Sequence, residues 1–271
     1  MASTQTSSFA AQQNLLLNSL QPDDLRRLLQ FLEPVAVRSG ARIGASVSAP
    51  MHVYFPTTLV ASVAALVEGG DPVEVGLVGR EGMLGWPVLL GGHHAPHCGL
   101  AQLSGGEALA MPAATLIDLC AEHRTLHTAL LRFVQAFTVQ LGRTVVANLR
   151  DGLERRLSRW LLMLHDRIDG DTLPITHVEL ANTLHVRRAS VTDTLHVLEG
   201  NGVLRCTRGQ VYVRDRAQLQ VAAGESYGPA ERSYSGLIAP FGKSDRADPT
   251  MQGWGGSRGS VDGAGAGLLR L

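Results

Sequence analysis

The sequence predicts an α+β chain in which an all-β unit, a long helix and a helix-turn-helix with a small hairpin follow one another. Residues 35–112 carry short apolar runs punctuated by Gly and Pro. From 113 to 151 there is no proline, and apolar residues recur at four- and three-residue spacing. Residues 176–214 then place a cap, two short helices, a glycine stop and two strands in one order. Alternating short strands argue for a barrel or sandwich, and a 3.6-residue period for helix.

The last stretch is the most informative. Thr176 and Glu179 form a capping box, in which the threonine oxygen and the glutamate each satisfy an otherwise orphaned backbone N–H, so a helix starts here and runs to about Leu184. His185-Val186 makes the turn. A second helix carries Val191, Leu195 and Leu198 on one stripe and leaves Arg187, Arg188, Ser190, Thr192, Asp193 and Thr194 on the other. Forked donors, hydroxyls and one carboxylate in the first turns of a helix suit the edges of base pairs in a major groove. Gly200-Asn201-Gly202 stops that helix. The strands 203–207 and 210–213 flank Arg208-Gly209, a turn that puts an arginine where a hairpin would meet a DNA backbone.

These residues carry a resemblance. The run from Ile175 to Glu199, ITHVELANTLHVRRASVTDTLHVLE, resembles the winged helix-turn-helix of the Crp/Fnr transcription regulators. The resemblance implies that Arg188 contacts a base and that Ala189, Ser190, Thr192 and Asp193 read or border neighbouring positions. It also implies that Thr176 holds a phosphate; Arg187 and Arg208 add donors beside them. Two positions depart from the family's pattern. His185 stands where a turn glycine is usual, and Ala189 and Asp193 stand where the best-known members have Glu and Arg, so the DNA sequence read here should differ from theirs.

Residues 1–13 are polar and small and are expected to be a disordered tail. Between 14 and 32, leucines and Pro22-Asp23-Asp24 predict short helices. Runs at 35–37, 52–55, 59–67, 73–78, 99–103 and 107–111 predict the strands of the all-β unit. Within it, HVYFP at 52–56 and VEVGLVGREGMLG at 73–85 resemble the cyclic-nucleotide-binding type of β-roll, a double-stranded, cupin-like jelly roll, in a subgroup of Crp/Fnr proteins. The family then implies a sensor domain over 14–120 with an effector pocket inside.

A buried phosphate needs a permanent cation or several aimed N–H groups. No Arg or Lys lies between Glu81 and His123, so cyclic nucleotide is disfavoured and no cofactor is assigned. His93, His94, His97 and Cys98 contain ligand types suited to zinc, but Pro96 breaks any helix that would align them and no carboxylate accompanies them. An exposed hairpin loop accounts for these four residues equally well, and no metal is assigned.

In 121–150 the seam Leu126, Leu130, Phe133 or Val134, Phe137, Leu141 and Val145 spans about five turns. It could cover the roll; the resemblance makes this segment a dimerisation helix. Gly142 within it costs about 1 kcal/mol against alanine and permits close approach of a neighbour. Residues 151–221 are assigned to the DNA-binding domain, opened by a helix with Leu153, Leu157, Trp160, Leu161 and Leu164 inward and Arg155, Arg156 and Arg159 outward. From 222 to 271, Gly, Ser, Ala, Asp and Pro dominate without an apolar period, which predicts a flexible tail.

Composition bounds the rest. With 271 residues, 45% hydrophobic and 18% charged, the chain is long enough for two cores. No run reaches the roughly 18 to 20 apolar residues of a membrane span, and the start lacks the pattern of a signal peptide, so a cytoplasmic protein is expected. Three scattered cysteines argue against a disulfide framework and fall short of the usual iron–sulfur ligand set. Formal net charge is zero, but residues 20–120 hold nine acidic and five basic residues whereas 177–216 hold four acidic and six basic, placing any attraction for phosphate in the later segment. No nucleophile, base or cofactor motif suggests an enzyme.

The expectation is therefore a homodimeric bacterial-type regulator that binds double-stranded DNA at an inverted repeat. Its small-molecule effector is unidentified, and RNA polymerase is a candidate partner. The alternative is a small-molecule- or metal-binding roll whose helix-turn-helix does not read DNA.

Overall fold

The computed structural model describes residues 10–44, 52–69, 72–92 and 97–243. Among the described residues its N-terminal half holds seven strands, β1 (Glu33–Arg38), β2 (Arg42–Ile43), β3 (His52–Pro56), β4 (Ala61–Ala65), β5 (Val73–Val78), β6 (His97–Ala101) and β7 (Gly105–Pro112). They form two antiparallel sheets, ordered β1-β7-β3 and β2-β6-β4-β5. Val53, Phe55, Val63, Leu109 and Met111 fill the space between them, as alternation along a strand requires when one face is buried. Two short helices, α1 (Leu15–Asn18) and α2 (Pro22–Leu28), close one end. The side chain of Asn14 caps α1 through the Leu17 N–H and donates to the carbonyls of Pro56 and Gly82, tying this end to the roll. Ala10 to Gln13, expected within a disordered tail, are helical, and Ala11 is buried in the core.

Helix α3 (Ala113–Glu122) leads into α4 (Arg124–Arg150), broken at His123, whose extended backbone ends one helix and caps the next. Much of the expected seam of α4 covers the roll. Leu126, Leu130, Phe133, Val134 and Phe137 are buried in the core of the roll, whereas Val145 is 57% exposed. The helix approaches the loop after β5 closely. A Cβ on Gly82 would lie 2.2 Å from Phe133 Cε2, so only glycine fits where that loop crosses the ring.

The C-terminal half has a separate core. Helix α5 (Leu153–His165) sends Leu157, Leu161 and Leu164 against α6 (His177–Leu184), α7 (Arg188–Gly200) and a three-stranded sheet of order β8-β10-β9. Its strands are β8 (Thr172–Leu173), β9 (Leu204–Thr207) and β10 (Gln210–Val213); β8 was not foreseen because two residues carry no periodicity. Arg159, expected to face outward, is 4% exposed and donates to Ser226 O and Thr144 Oγ1. Burial removes water from its guanidinium and brings its pKa down to about 10.

The largest departure follows residue 221. Instead of a tail, α8 (Arg216–Ala223) continues through a short 3₁₀ turn into α9 (Pro229–Leu237), which packs along α4. Composition misses this because few residues do the anchoring. Tyr234 and Phe241 are buried, and the groove that receives them exists only once both halves have folded. Residues 244–271, the rest of the predicted tail, lie outside the described residues.

Candidate nucleic-acid interface

The helix pair forms as its local chemistry dictates. Thr176 Oγ1 accepts from the Glu179 N–H at 3.2 Å, and Glu179 Oε2 accepts from the Thr176 N–H at 2.6 Å, closing the capping box. His185 adopts φ 51°, ψ 51°, the left-handed conformation that a turn glycine would otherwise supply. Its N–H and that of Val186 bond the carbonyls of Asn182 and Ala181, so a non-glycine residue completes the turn. Val191, Leu195 and Leu198 are buried against α5 and α6, which orients the opposite face of α7 outward.

That outward face carries the predicted residues. Arg187 caps α7 in extended conformation, and Arg188, Ala189 and Asp193 are exposed on its first two turns. Ser190 and Thr192 are half-buried rather than free. Thr192 Oγ1 lies 2.9 Å from His177 Nδ1, and the Ser190 carbonyl accepts from Thr194 Oγ1 at 2.8 Å. Thr176 is exposed beside the start of α6, its hydroxyl engaged with Glu179 at 2.7 Å. Arg208 is exposed at the tip of the β9–β10 hairpin, where Gly209 takes φ +75°. Glu199 Oε1 accepts from the Cys206 N–H at 2.9 Å, joining the end of α7 to β9.

Two residues were not singled out from the sequence. His177 supports Thr192, and His196 is exposed one turn beyond it. His196 was legible, since it lies four residues after Thr192 on the same helical face. Burial depresses the pKa of His177 first, with the charges of Arg188 and His196 adding to the effect.

The recess inside the roll is lined by residues including Tyr54, Val63, Leu84, Trp86, His97 and Gly99, and by no Lys or Arg among the described residues. His97 meets Trp86 in a tilted contact with centroids 5.9 Å apart, and burial lowers its pKa; burial raises that of the Cys98 thiol. His93 and His94, the other members of the considered metal cluster, lie outside the described residues. Among the described residues no three His, Cys, Asp or Glu side chains are grouped to hold a metal ion, and no helix is long and apolar enough to cross a membrane.

Residues 155–222 match the family model of the Crp-like helix-turn-helix domain. No curated protein matches the chain. Among solved structures, FixK2 from Bradyrhizobium japonicum superposes with TM-score 0.61 at 15% identity, over 71% of this chain and 98% of its own. A CRP-family transcriptional regulator from Thermus thermophilus gives 0.55 at 21% identity, over 71% and 97%. The c-di-GMP-responsive global regulator CLP from Xanthomonas campestris gives 0.58 at 14%, over 71% and 99%. At these identities the structures speak for the fold, and the helix-turn-helix match speaks for the reader. Residues 155–222 thus form a Crp-like helix-turn-helix domain, within a chain that shares the fold of solved Crp/Fnr-type structures.

Proposed function

We propose that the chain acts as a homodimer that reads an inverted repeat in double-stranded DNA, with Arg188 as the principal base contact. The observation that carries this reading is the exposed face of α7, framed by Thr176 on one side and Arg208 on the other. Arg188 suits the paired acceptors O6 and N7 of guanine, Asp193 and Ala189 border the same groove, and Arg187, Thr176 and Arg208 position the backbone. Thr192, supported by His177, and Ser190 shape the floor between them. Such an arrangement binds DNA and needs no reactive group, so we assign no enzymatic activity.

Pairing is supported by a second stripe on α4. Gln135, Thr138, Gly142, Val145 and Leu149 recur at three- and four-residue spacing on its exposed side, and Leu149 is 80% exposed. A stripe of that period fits the same stripe on a second copy. Two readers related by that axis would fall about one helical turn, ~34 to 36 Å, apart.

An effector in the roll would be held by Tyr54, Trp86 and His97 rather than by a charge-assisted phosphate contact, which favours an uncharged aromatic or apolar compound over a cyclic nucleotide. RNA polymerase is the partner that a dimer bound at a promoter would meet in the cytoplasm. The deciding experiment enriches random-sequence duplexes with purified protein, with Arg188→Ala in parallel. An inverted repeat enriched by the wild type and lost with the variant is expected. Equal enrichment by both removes Arg188 from readout, and no enrichment by a folded dimer, with or without cell extract, leaves a roll that does not read DNA.

A further inference from the structure

Between the two halves lies a buried ion pair whose members come from different units. Glu81, in the loop after β5, is 3% exposed, and the side chain of Arg167, just beyond α5, is 1% exposed. Arg167 Nε and Nη2 reach Glu81 Oε1 at 2.9 and 2.7 Å, Nη1 donates to Met163 O at 2.7 Å, and Nη2 donates to Leu77 O at 3.2 Å. Both Glu81 oxygens lie 3.1 Å from the Gly79 N–H. A buried pair is satisfied only in the geometry that forms it, so this one specifies a single docking of α5 on the roll.

The C-terminal segment closes over the pair. Phe241 lies with its ring centroid 5.1 Å from Arg167 Cζ, and Tyr234 packs on Phe241 while donating to the Glu81 carbonyl at 2.6 Å. The same segment is fastened to the DNA-binding half. The Lys243 N–H and the Tyr227 hydroxyl donate to Asp166 at 3.0 and 2.7 Å, and Arg159 donates to Ser226 O at 3.0 Å. Residues 224–243 therefore hold both sides of the junction at once.

The junction also touches the roll's interior. Glu81 stands three residues before Leu84, and Leu84, Gly85 and Trp86 line the recess. Trp86 meets Phe137 of α4 at 5.7 Å, and Phe133 blocks any side chain at position 82. A rearrangement of Leu84 or Trp86 thus has little room to dissipate before it reaches Glu81.

We propose that residues 224–243 are a strap that locks the DNA-binding half onto the roll over the Glu81–Arg167 pair, and that its release is the step by which the contents of the roll reach the reading helix. The lock stands on intrachain contacts alone; the step to the reading helix rests on the DNA reading above. In the locked form the outward face of α7 is uncovered, so the strap presets the reader, and release lowers affinity for DNA by spreading the reader over many orientations.

The test uses the full chain, with Tyr234→Ala/Phe241→Ala and Tyr234→Phe, each checked for secondary structure by circular dichroism. Hydrogen exchange of residues 77–82 and tryptic cleavage after Arg150, Arg155 and Arg156 report the lock directly. In the double variant both should be about ten-fold faster, and in Tyr234→Phe about three-fold faster, because local opening sets these rates. Affinity for the duplex enriched by the wild type should fall about ten-fold in the double variant, with a smaller loss on a single half-site. Exchange and cleavage unchanged in a folded variant would overturn the strap; faster exchange with unchanged DNA affinity would overturn the release step. If the double variant does not fold, the Tyr234→Phe rates decide. If wild-type protein enriches no DNA, the proposed function fails while exchange and cleavage still judge the lock.

Discussion

Gln140 pairs with the backbone of Leu77 as a neighbouring strand would. The Leu77 N–H donates to Gln140 Oε1 at 2.7 Å, and Gln140 Nε2 donates back to the Leu77 carbonyl at 3.1 Å. Strand β5 is the outer strand of its sheet, so without this side chain the Leu77 N–H on its edge would be unpaired in a buried place, while the carbonyl also accepts from Arg167 Nη2. Gly76 permits the approach, since a Cβ there would lie 2.9 Å from Gln140 Oε1 and 3.0 Å from Phe137. One amide thereby seals a sheet edge and fixes the long helix to the roll.

Replacing Gln140 by Leu removes both bonds and leaves the Leu77 N–H buried and unmet. The expected loss is about 1 to 3 kcal/mol in urea unfolding. A midpoint equal to that of the wild type would show that water or a shifted backbone satisfies the group instead.

Arg188→Ala and Arg208→Ala should weaken DNA binding differently. The first should lose about 1 to 3 kcal/mol of discrimination at one base position, whereas the second should weaken all sequences evenly and lower the salt slope by about one. Titrations of specific and random duplexes at several salt concentrations separate the two effects.

Stability should fall in mild acid, partly through His165. This ring is 2% exposed; Arg216 Nη1 lies 2.9 Å from Nδ1, which leaves Nε2–H to donate to Asp171 at 2.8 Å. Burial lowers its pKa below the ordinary 6.5, the Asp171 contact opposing that only in part. The unfolded chain therefore takes up the proton first, so this stabilisation is complete above pH 6.5 and is lost as pH falls below it. His165→Gln should flatten unfolding free energy measured between pH 7 and about 5, leaving the shares of His97 and His177, which are shifted the same way. An unchanged slope would locate the acid sensitivity elsewhere.

The outer stripe of α4 predicts its own disruption. Val145→Glu with Leu149→Glu places two charges where a second copy would pack, and sedimentation should show a monomer with the helical circular dichroism of the wild type. A dimer that survives these changes pairs through another surface.

Local rules reached far into this chain. The capping box at Thr176 and Glu179, the strand runs of the roll, the stop after Gly200 and the arginine at the hairpin tip are each decided by residues within a few positions of one another, and all of them stand in the structure. His185 is the instructive case. Its place in the turn implied a left-handed backbone, which histidine tolerates at modest cost, and it adopts one.

What the sequence by itself determined was the order of elements and the face of α7 that points outward, because periodicity and capping are local. Tertiary structure alone decided which stripe of α4 covers the roll and which stays exposed, that Arg159 is buried, that Thr192 is held by His177, and that residues 222–243 pack instead of trailing. Each of those depends on a surface assembled from distant segments. A handful of side chains such as Tyr234 and Phe241 can order a polar, glycine-rich stretch only when a groove built by the loop after β5, by α4 and by Arg167 is already there to bury them.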